Sequence, residues 1–188
     1  MTSFIGKYDN ELSSYECEKL IRQFEESPKS EGIFHKDGKK VLDPSVKQCR
    51  QLDTKFSDKS IISNTILPHL ISCLEKYKER YLALDYIFPG TFDDEFAFKK
   101  YETEEDGFKA WHTEAGGSDT ATRILAWMIY LNNAKSGTEF MHFPTVRAKT
   151  GRCIIWPAAF THVHRSEPNK GLKYVISGWI SFMEHESR

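Results

Sequence analysis

The sequence predicts a mainly β fold with N-terminal helices, in which a double-stranded β-helix (jelly roll) carries the functional site. Aromatic residues make up 13% of the 188 residues, and aromatic rings suit the half-buried surfaces of sheets. From residue 96 onwards, about seven or eight strand-like segments follow one another, separated by turn signals. Two helical segments precede them, so we expect helices packed outside a double sheet.

The N-terminal part of the chain is predicted to contain a short strand and two helices. Residues 4–8 read as the strand, and a helix runs from the N-cap candidates Ser13 and Ser14 to about Glu26. A second helical period covers about residues 58–82, and Pro68 is expected to kink or interrupt it.

The remaining segments are predicted as loops and strands. Residues 28–57 are polar and broken by glycine and proline, which predicts a long loop or a loose hairpin. Residues 84–95 are mixed and contain the turn signal Pro89-Gly90. The predicted strands of the jelly roll are residues 96–101, 108–112, 123–132, 153–157 and 172–182.

Length and charge limit the classes of protein that this chain resembles. We expect a single domain over residues 1–188, with residues 1–95 supporting a jelly-roll core at 96–183. The net charge is -1 and no polybasic stripe is present, which argues against nucleic-acid binding. The longest apolar run, residues 124–131, is far shorter than the roughly 20 residues of a membrane helix, so no membrane association is expected.

The cysteines and the N-terminus predict a cytoplasmic protein. The four cysteines are far apart and form no Cys-x-x-Cys pair, which favours reduced thiols over a disulfide framework or a zinc ribbon. The first residues lack the long apolar segment of a secretory signal.

A His-x-Glu motif, His112 to Glu114, is the first candidate for chemistry. On an extended strand the two side chains leave the same face. A second histidine from the distant segment 160–164 would complete two nitrogens and one carboxylate oxygen, a set that suits iron(II) and leaves coordination positions free. The similar His35-Lys36-Asp37 motif lies in a polar stretch before Gly38, which is typical of a turn rather than a metal site.

Four blocks of sequence, in order, resemble the 2-oxoglutarate (2OG) and iron(II)-dependent oxygenases, in particular the prolyl-4-hydroxylase-like branch. They cover residues 96–183. The blocks are Tyr101 through Trp111-His112-Thr113-Glu114; Arg123-Ile124-Leu125 through Tyr130-Leu131-Asn132; Ser136-Gly137-Thr138-Glu139-Phe140 with Gly151 and Trp156-Pro157; and Thr161-His162-Val163-His164 with residues 173–179.

The resemblance implies a cupin-like double-stranded β-helix and a set of metal ligands. His112 and Glu114 match the proximal pair, with Glu in place of the more usual Asp. A basic residue follows the distal histidine of the family by about nine or ten positions. Lys173 lies nine positions after His164 and eleven after His162, which selects His164 as the distal ligand.

The resemblance also implies a co-substrate site. Lys173 and Tyr130 would bind the distal carboxylate of 2OG, and Tyr101 matches a tyrosine near its iron-side carboxylate. Ser177 and Trp179 share a face of the last strand with Lys173, and we assign them to the same site. The implied cofactors are iron(II), 2OG and dioxygen, with ascorbate as an optional reductant.

The implied activity is hydroxylation of an unactivated C–H bond, with a prolyl residue of a peptide or protein as the first candidate substrate. A free amino acid or small metabolite, a zinc-dependent cupin-type enzyme and a non-catalytic jelly-roll binding module are the alternatives. Only residues 115–122 separate Glu114 from Arg123, which is short for a lid, so residues 28–57 or 84–95 are expected to wall the site. The sequence leaves open the roles of Arg123, His142 and His162, and the oligomeric state.

Overall fold

One large antiparallel sheet organises the chain, with helices on one side and smaller sheets on the other. The computed structural model describes residues 2–36, 39–87 and 90–182. Within these ranges lie two α-helices, α1 (Ser14–Glu26) and α2 (Ile61–Arg80). The same ranges contain fifteen strands: β1 (Gly6–Tyr8), β2 (Ser30–Glu31), β3 (Phe34–Lys36), β4 (Lys39–Val41), β5 (Lys47–Gln48), β6 (Arg50–Lys55), β7 (Gly90–Phe92), β8 (Glu95–Tyr101), β9 (Gly107–Phe108), β10 (Arg123–Tyr130), β11 (Gly137–Phe140), β12 (Val146–Arg147), β13 (Arg152–Pro157), β14 (His164–Ser166) and β15 (Lys173–Phe182).

The strands form two facing layers. The major sheet has the order β1-β13-β10-β15-β8-β6-β2, and β7 pairs with the end of β15. The minor sheet has the order β12-β11-β14, while β3-β4 and β5-β9 form two-stranded ribbons. Among the described residues, no helix is long and apolar enough to cross a membrane.

Alternation along β15 separates two hydrophobic cores. Tyr174, Ile176 and Ile180 belong to the cluster between the major sheet and the helices. Val175 and Trp179 face the other cluster, between the major and minor sheets. Successive side chains of a strand point to opposite faces, so one strand contributes to both cores. The face of β15 that carries Val175 and Trp179, and with them Lys173 and Ser177, therefore lies in the interior of the protein.

The helices begin at serine caps, because a serine hydroxyl satisfies a backbone N–H that has no partner inside the helix. The Ser13 hydroxyl accepts from the Glu16 N–H at 3.2 Å, and the Glu16 carboxylate accepts from the Ser13 N–H at 2.8 Å. The Ser60 hydroxyl accepts from the Ser63 N–H at 3.1 Å and starts α2. Helix α2 contains Pro68 and continues on both sides of it.

Helix α2 is expected to contribute to stability mainly through its buried face. Leu70 is fully buried, whereas its neighbour Ile71 is 44% exposed. Leu70→Ala should lower the free energy of unfolding by about 2–5 kcal/mol, because it removes buried carbons and leaves a cavity. Ile71→Ala is the matched control and should cost less than about 1 kcal/mol. Urea denaturation of both variants checks this, and equal losses would contradict the packing of α2.

The prediction that residues 28–57 form a long loop or a loose hairpin is right for the antiparallel pair of β3 and β4 and misses the other strands. This segment contributes five short strands, and β6 joins the major sheet beside β8. Gln51 and Asp53 of β6 point to the same side of the sheet as the inner core. Because that side lines a polar cavity, the inward positions of β6 are polar and the alternation that marks a half-buried strand is hidden.

One predicted strand is not formed, and the segment predicted as mixed contains regular structure. Residues 108–112 do not form one strand: β9 ends at Phe108, and His112 makes an isolated antiparallel pairing with His164. Within 84–95, a 3-10 helix at Leu82–Tyr86 precedes β7. Asp37 of the competing histidine motif and Pro89 of the turn signal lie outside the described residues.

Candidate active site

His112, Glu114 and His164 meet between the two sheets. One ligand atom from each lies within 4.8 Å of the others. Glu114 Oε1 is 3.2 Å from His164 Nε2 and 3.9 Å from His112 Nε2. The two histidines are paired through their backbones, His112 N to His164 O at 3.0 Å and His164 N to His112 O at 2.9 Å. This pairing, rather than a continuous strand, places the two imidazoles side by side.

Backbone carbonyls hold the far nitrogen of each imidazole. His112 Nδ1 lies 3.0 Å from the Ala110 oxygen, and His164 Nδ1 lies 2.9 Å from the His162 oxygen. A carbonyl only accepts, so each Nδ1 donates to its carbonyl, and each Nε2 faces Glu114 as the ring nitrogen that is available to a metal. Two imidazole nitrogens and a carboxylate then face one another. This donor set fits a divalent transition metal such as iron(II), whose histidine ligands are commonly oriented in this way.

The second carboxylate oxygen of Glu114 is held from the opposite side. Trp179 Nε1 donates to Glu114 Oε2 at 2.7 Å, and the Arg123 guanidinium lies 3.6 Å from the Trp179 ring centre and 4.0 Å from the same oxygen. Burial alone would raise the pKa of the Glu114 carboxyl, but its hydrogen bond and charge interaction with His164, with help from His112 and Trp179, hold that pKa well below its usual range. Burial lowers the pKa of His112 to about 4. The cluster therefore presents an anionic carboxylate beside neutral imidazole.

His162 and His142, whose roles the sequence left open, lie away from this cluster. His162 is buried, but its Nε2 donates to the Ser3 carbonyl at 2.8 Å and its Nδ1 lies 2.9 Å from the Thr161 hydroxyl. His142 is exposed. His162 thus fastens the N-terminal segment to the loop before β14.

A cavity of about 820 Å³ opens over the cluster. The inner face of the major sheet forms its floor through residues of β8 and β15, including Lys99, Tyr101 and Ser177. Residues 46–47, 51 and 53–55 form part of its wall, so the segment 28–57 borders the site as expected. A pocket of this size, lined by aromatic and polar side chains, is large enough for a co-substrate and part of a second molecule.

Comparisons with known proteins agree with this geometry. The sequence model of the 2OG-Fe(II) oxygenase superfamily matches residues 96–181. Residues 96–181 belong to the 2OG-Fe(II) oxygenase superfamily. This region is thus that of an oxygenase that uses iron(II), 2OG and dioxygen, as the sequence predicted. A comparison with curated protein sequences found no match.

Solved structures share the fold of this oxygenase at low sequence identity. The collagen prolyl hydroxylase of Paramecium bursaria Chlorella virus-1, in its 2OG complex, is 18% identical with a TM-score of 0.66, over 96% of this chain and 97% of that one. A Trichoplax adhaerens prolyl hydroxylase, in complex with a hypoxia inducible factor peptide, is 13% identical with a TM-score of 0.71, over 96% and 84%. A Pseudomonas putida prolyl-4-hydroxylase is 13% identical with a TM-score of 0.66, over 97% and 95%. The predicted jelly-roll fold is confirmed.

Lys173 is a buried cation, and among the described residues Glu167 attracts it only from beyond ion-pair distance. Its side chain is 2% exposed, and its ammonium lies 4.9 Å from the centre of the Tyr101 ring. It makes no hydrogen bond or ion pair with the residues of 2–36, 39–87 and 90–182. Burial lowers the pKa of Lys173 to about 8. A buried charge needs a counter-charge, so this position suits an anion.

The other residues assigned to the co-substrate site lie on the same inner face, in different settings. Tyr101 lines the cavity, and Ser177 accepts from Lys99 Nζ at 2.7 Å. The Tyr130 hydroxyl lies 2.6 Å from the Thr138 hydroxyl, and it is Thr138 that lines the cavity. Trp179 contacts Glu114 rather than the Lys173 end of the strand.

Sequence reasoning missed three polar residues of the inner face. Lys99, Gln51 and Lys47 all line the cavity, and Lys47 is 5% exposed with its ammonium 2.6 Å from Gln51 Oε1. The sequence could have indicated Lys99, since it lies two residues before Tyr101 on the same strand and its side chain therefore points to the same face.

Proposed function

We propose that this oxygenase hydroxylates a prolyl residue of a peptide or protein, with iron(II) held by His112, Glu114 and His164. The convergence of these three side chains, with both Nδ1 atoms fixed by carbonyls, is the observation that carries the proposal. The structural relatives described as prolyl hydroxylases support the choice of substrate. With 2OG and dioxygen, bound iron(II) supplies the oxidising power for an unactivated C–H bond, and the overall products are the alcohol, succinate and carbon dioxide.

The residues of the chain orient the reactants and exclude water. Trp179 holds the outer oxygen of Glu114, so its inner oxygen stays directed at the two histidines. Lys173 is assigned to the distal carboxylate of 2OG, because its ammonium is buried and forms no ion pair with an acid of the described residues. Tyr101 lines the cavity, and its ring lies against this ammonium. A cytoplasmic location stays a prediction, supported by four free, buried cysteines.

The proposal is tested by coupling co-substrate consumption to peptide oxidation. The protein is loaded with iron(II) without oxygen and then supplied with 2OG, ascorbate, air and proline-containing peptides. We expect succinate release that depends on the peptide and a peptide mass gain of one oxygen atom. The matched control peptides carry alanine or 4-hydroxyproline in place of proline. Succinate release that is the same with all three peptides would contradict prolyl hydroxylation while leaving the oxygenase chemistry in place.

A further inference from the structure

Lys99 is a cation of the cavity that the proposed co-substrate site does not use. It lies on the inner face of β8, opposite Val175 of β15 and Gln51 of β6. Its ammonium donates to the Ser177 hydroxyl at 2.7 Å and forms no ion pair with a described acid. An ammonium has three donors, so two of them have no protein partner within the described part of the chain.

The other cationic side chains of the cavity wall differ from Lys99 because they are paired or exposed. Lys40 is exposed. The paired ones are Lys47 with Gln51 and the Ile33 carbonyl, Lys55 with Glu95 at 3.1 Å, Arg123 with Asp93 at 3.9 Å, and Arg165 with Glu139 at 2.8 Å. Lys99 is also surrounded by enough protein that burial lowers its pKa. A desolvated ammonium that faces a cavity with free donors is a ready site for an anion.

Lys99 and Lys173 lie at different places on the inner face of the major sheet. Lys173 pairs with Tyr101, and its ammonium rests on that ring. Lys99 instead leans along β15 towards Ser177, and hence towards Trp179 and Glu114. Lys99 and Ser177 line the open cavity, together with Asp53, Thr54 and other residues of the edge strand β6, whereas Lys173 does not line it. Lys99 therefore faces the space that remains for a second molecule.

We propose that Lys99 binds a carboxylate of the oxidised substrate, so that the substrate is an acidic peptide with Glu or Asp next to the hydroxylated proline. This rests on the proposed function, since it names the chemistry of the peptide at the same site. The Ser177 hydroxyl orients the ammonium, and its two remaining N–H groups donate to the carboxylate. Lys173 keeps the distal carboxylate of 2OG, so each anion has its own cation.

The experiment compares two peptides that differ only in charge, Gly-Glu-Pro-Glu-Gly and Gly-Gln-Pro-Gln-Gly, both with blocked ends. They are titrated calorimetrically, without oxygen, into protein loaded with Mn(II) and 2OG, so that binding is measured without turnover. The wild type should bind the Glu peptide about 10- to 100-fold more tightly than the Gln peptide, as a charge-assisted pair requires. Lys99→Met should reduce this ratio to near one, and its affinity for 2OG should stay within about twofold of wild type.

Lys100→Met is the matched control. Lys100 is the next residue of β8, but it points to the helix side and pairs with Glu25 at 3.0 Å, so the preference for the Glu peptide should persist. An equal affinity of the wild type for both peptides, or no binding of either, would overturn the acidic-substrate proposal. A preference that survives Lys99→Met would overturn the role of Lys99. Loss of 2OG affinity in Lys99→Met with an unchanged peptide ratio would assign Lys99 to the co-substrate instead. A gain of one oxygen atom by a proline-containing peptide, absent from its alanine counterpart, judges the proposed function separately.

Discussion

His164→Ala is expected to lower the affinity for iron(II) by about 100-fold or more and to abolish succinate release. Mutation of residues that only orient metal ligands typically lowers metal affinity by about 10- to 100-fold, so removal of a ligand should lower it at least as much. His164 offers Nε2 to the cluster, and its side chain is 4% exposed, so water cannot easily take its place. Anaerobic titration with Co(II), followed by its absorption bands, measures the affinity, and succinate analysis measures turnover.

His162→Ala is the control, because this histidine is two residues away in the same segment and is also buried. Its ring nitrogens contact the Ser3 carbonyl and the Thr161 hydroxyl, so metal affinity should stay within about threefold of wild type while the melting temperature falls. Circular dichroism establishes that both variants are folded. If His162→Ala lost the metal and His164→Ala kept it, the assignment of the distal ligand would be reversed.

The sequence was informative where the pattern of side chains is imposed by the fold. The long apolar strands β10 and β15 were predicted to within two residues, since each must bury both of its faces. The two helices were predicted because serine caps and helical spacing agree there. The residues His112, Glu114 and His164 were also brought together as expected, although their metal-binding role stays a proposal.

Strands and contacts could not be predicted from the sequence where the side chains that face inward are polar and line the site. Strand β6 was missed because Gln51 and Asp53 face the cavity instead of a hydrophobic core. The partners of the two Nδ1 atoms are backbone carbonyls, which leave no trace in residue identity. Trp179 was assigned to the co-substrate from its face alone, and only the folded chain shows its indole N–H on Glu114.

The contact with Trp179 also explains how a glutamate is accommodated where the family more often has aspartate. The longer side chain has one more rotatable bond, so its carboxylate is less restricted on its own. Glu114 lies in a bend after the His112 pairing, and not on a regular strand. Trp179 binds one oxygen at 2.7 Å, which leaves the other directed at the histidines. The indole thus fixes the orientation of the longer side chain.

Lys173→Met is expected to have opposite effects on the stability of the protein with and without 2OG. The pKa of Lys173 is lowered from 10.5 to about 8 by burial, so at pH 7 the folded protein holds an ammonium that is better solvated in the unfolded chain. This destabilisation is fully present below about pH 8 and disappears as the pH rises through 10.5. Methionine carries no charge, so without ligand the variant should melt at a higher temperature than wild type at pH 7.

In the presence of 2OG the order should reverse. A ligand that binds only the folded state raises the melting temperature, and the wild type gains this stabilisation through the pair between Lys173 and the distal carboxylate. Loss of the cation should weaken 2OG binding by about 100-fold or more, as removal of one partner of a buried charge pair does, and should leave Co(II) affinity unchanged. Thermal melts at pH 7 with and without 2OG test both halves. Lys170→Ala, at an exposed lysine three residues earlier, should change neither melt.

The two halves together exclude a merely structural role for Lys173. If the ammonium served only the packing of the inner core, Lys173→Met would destabilise the free protein and leave the shift caused by 2OG intact. If the ammonium binds the co-substrate, Lys173→Met should stabilise the free protein and abolish the rise in melting temperature caused by 2OG. A buried cation that destabilises the empty protein is retained only where a bound anion offsets its cost, and the distal carboxylate of 2OG is the anion that the oxygenase reaction provides.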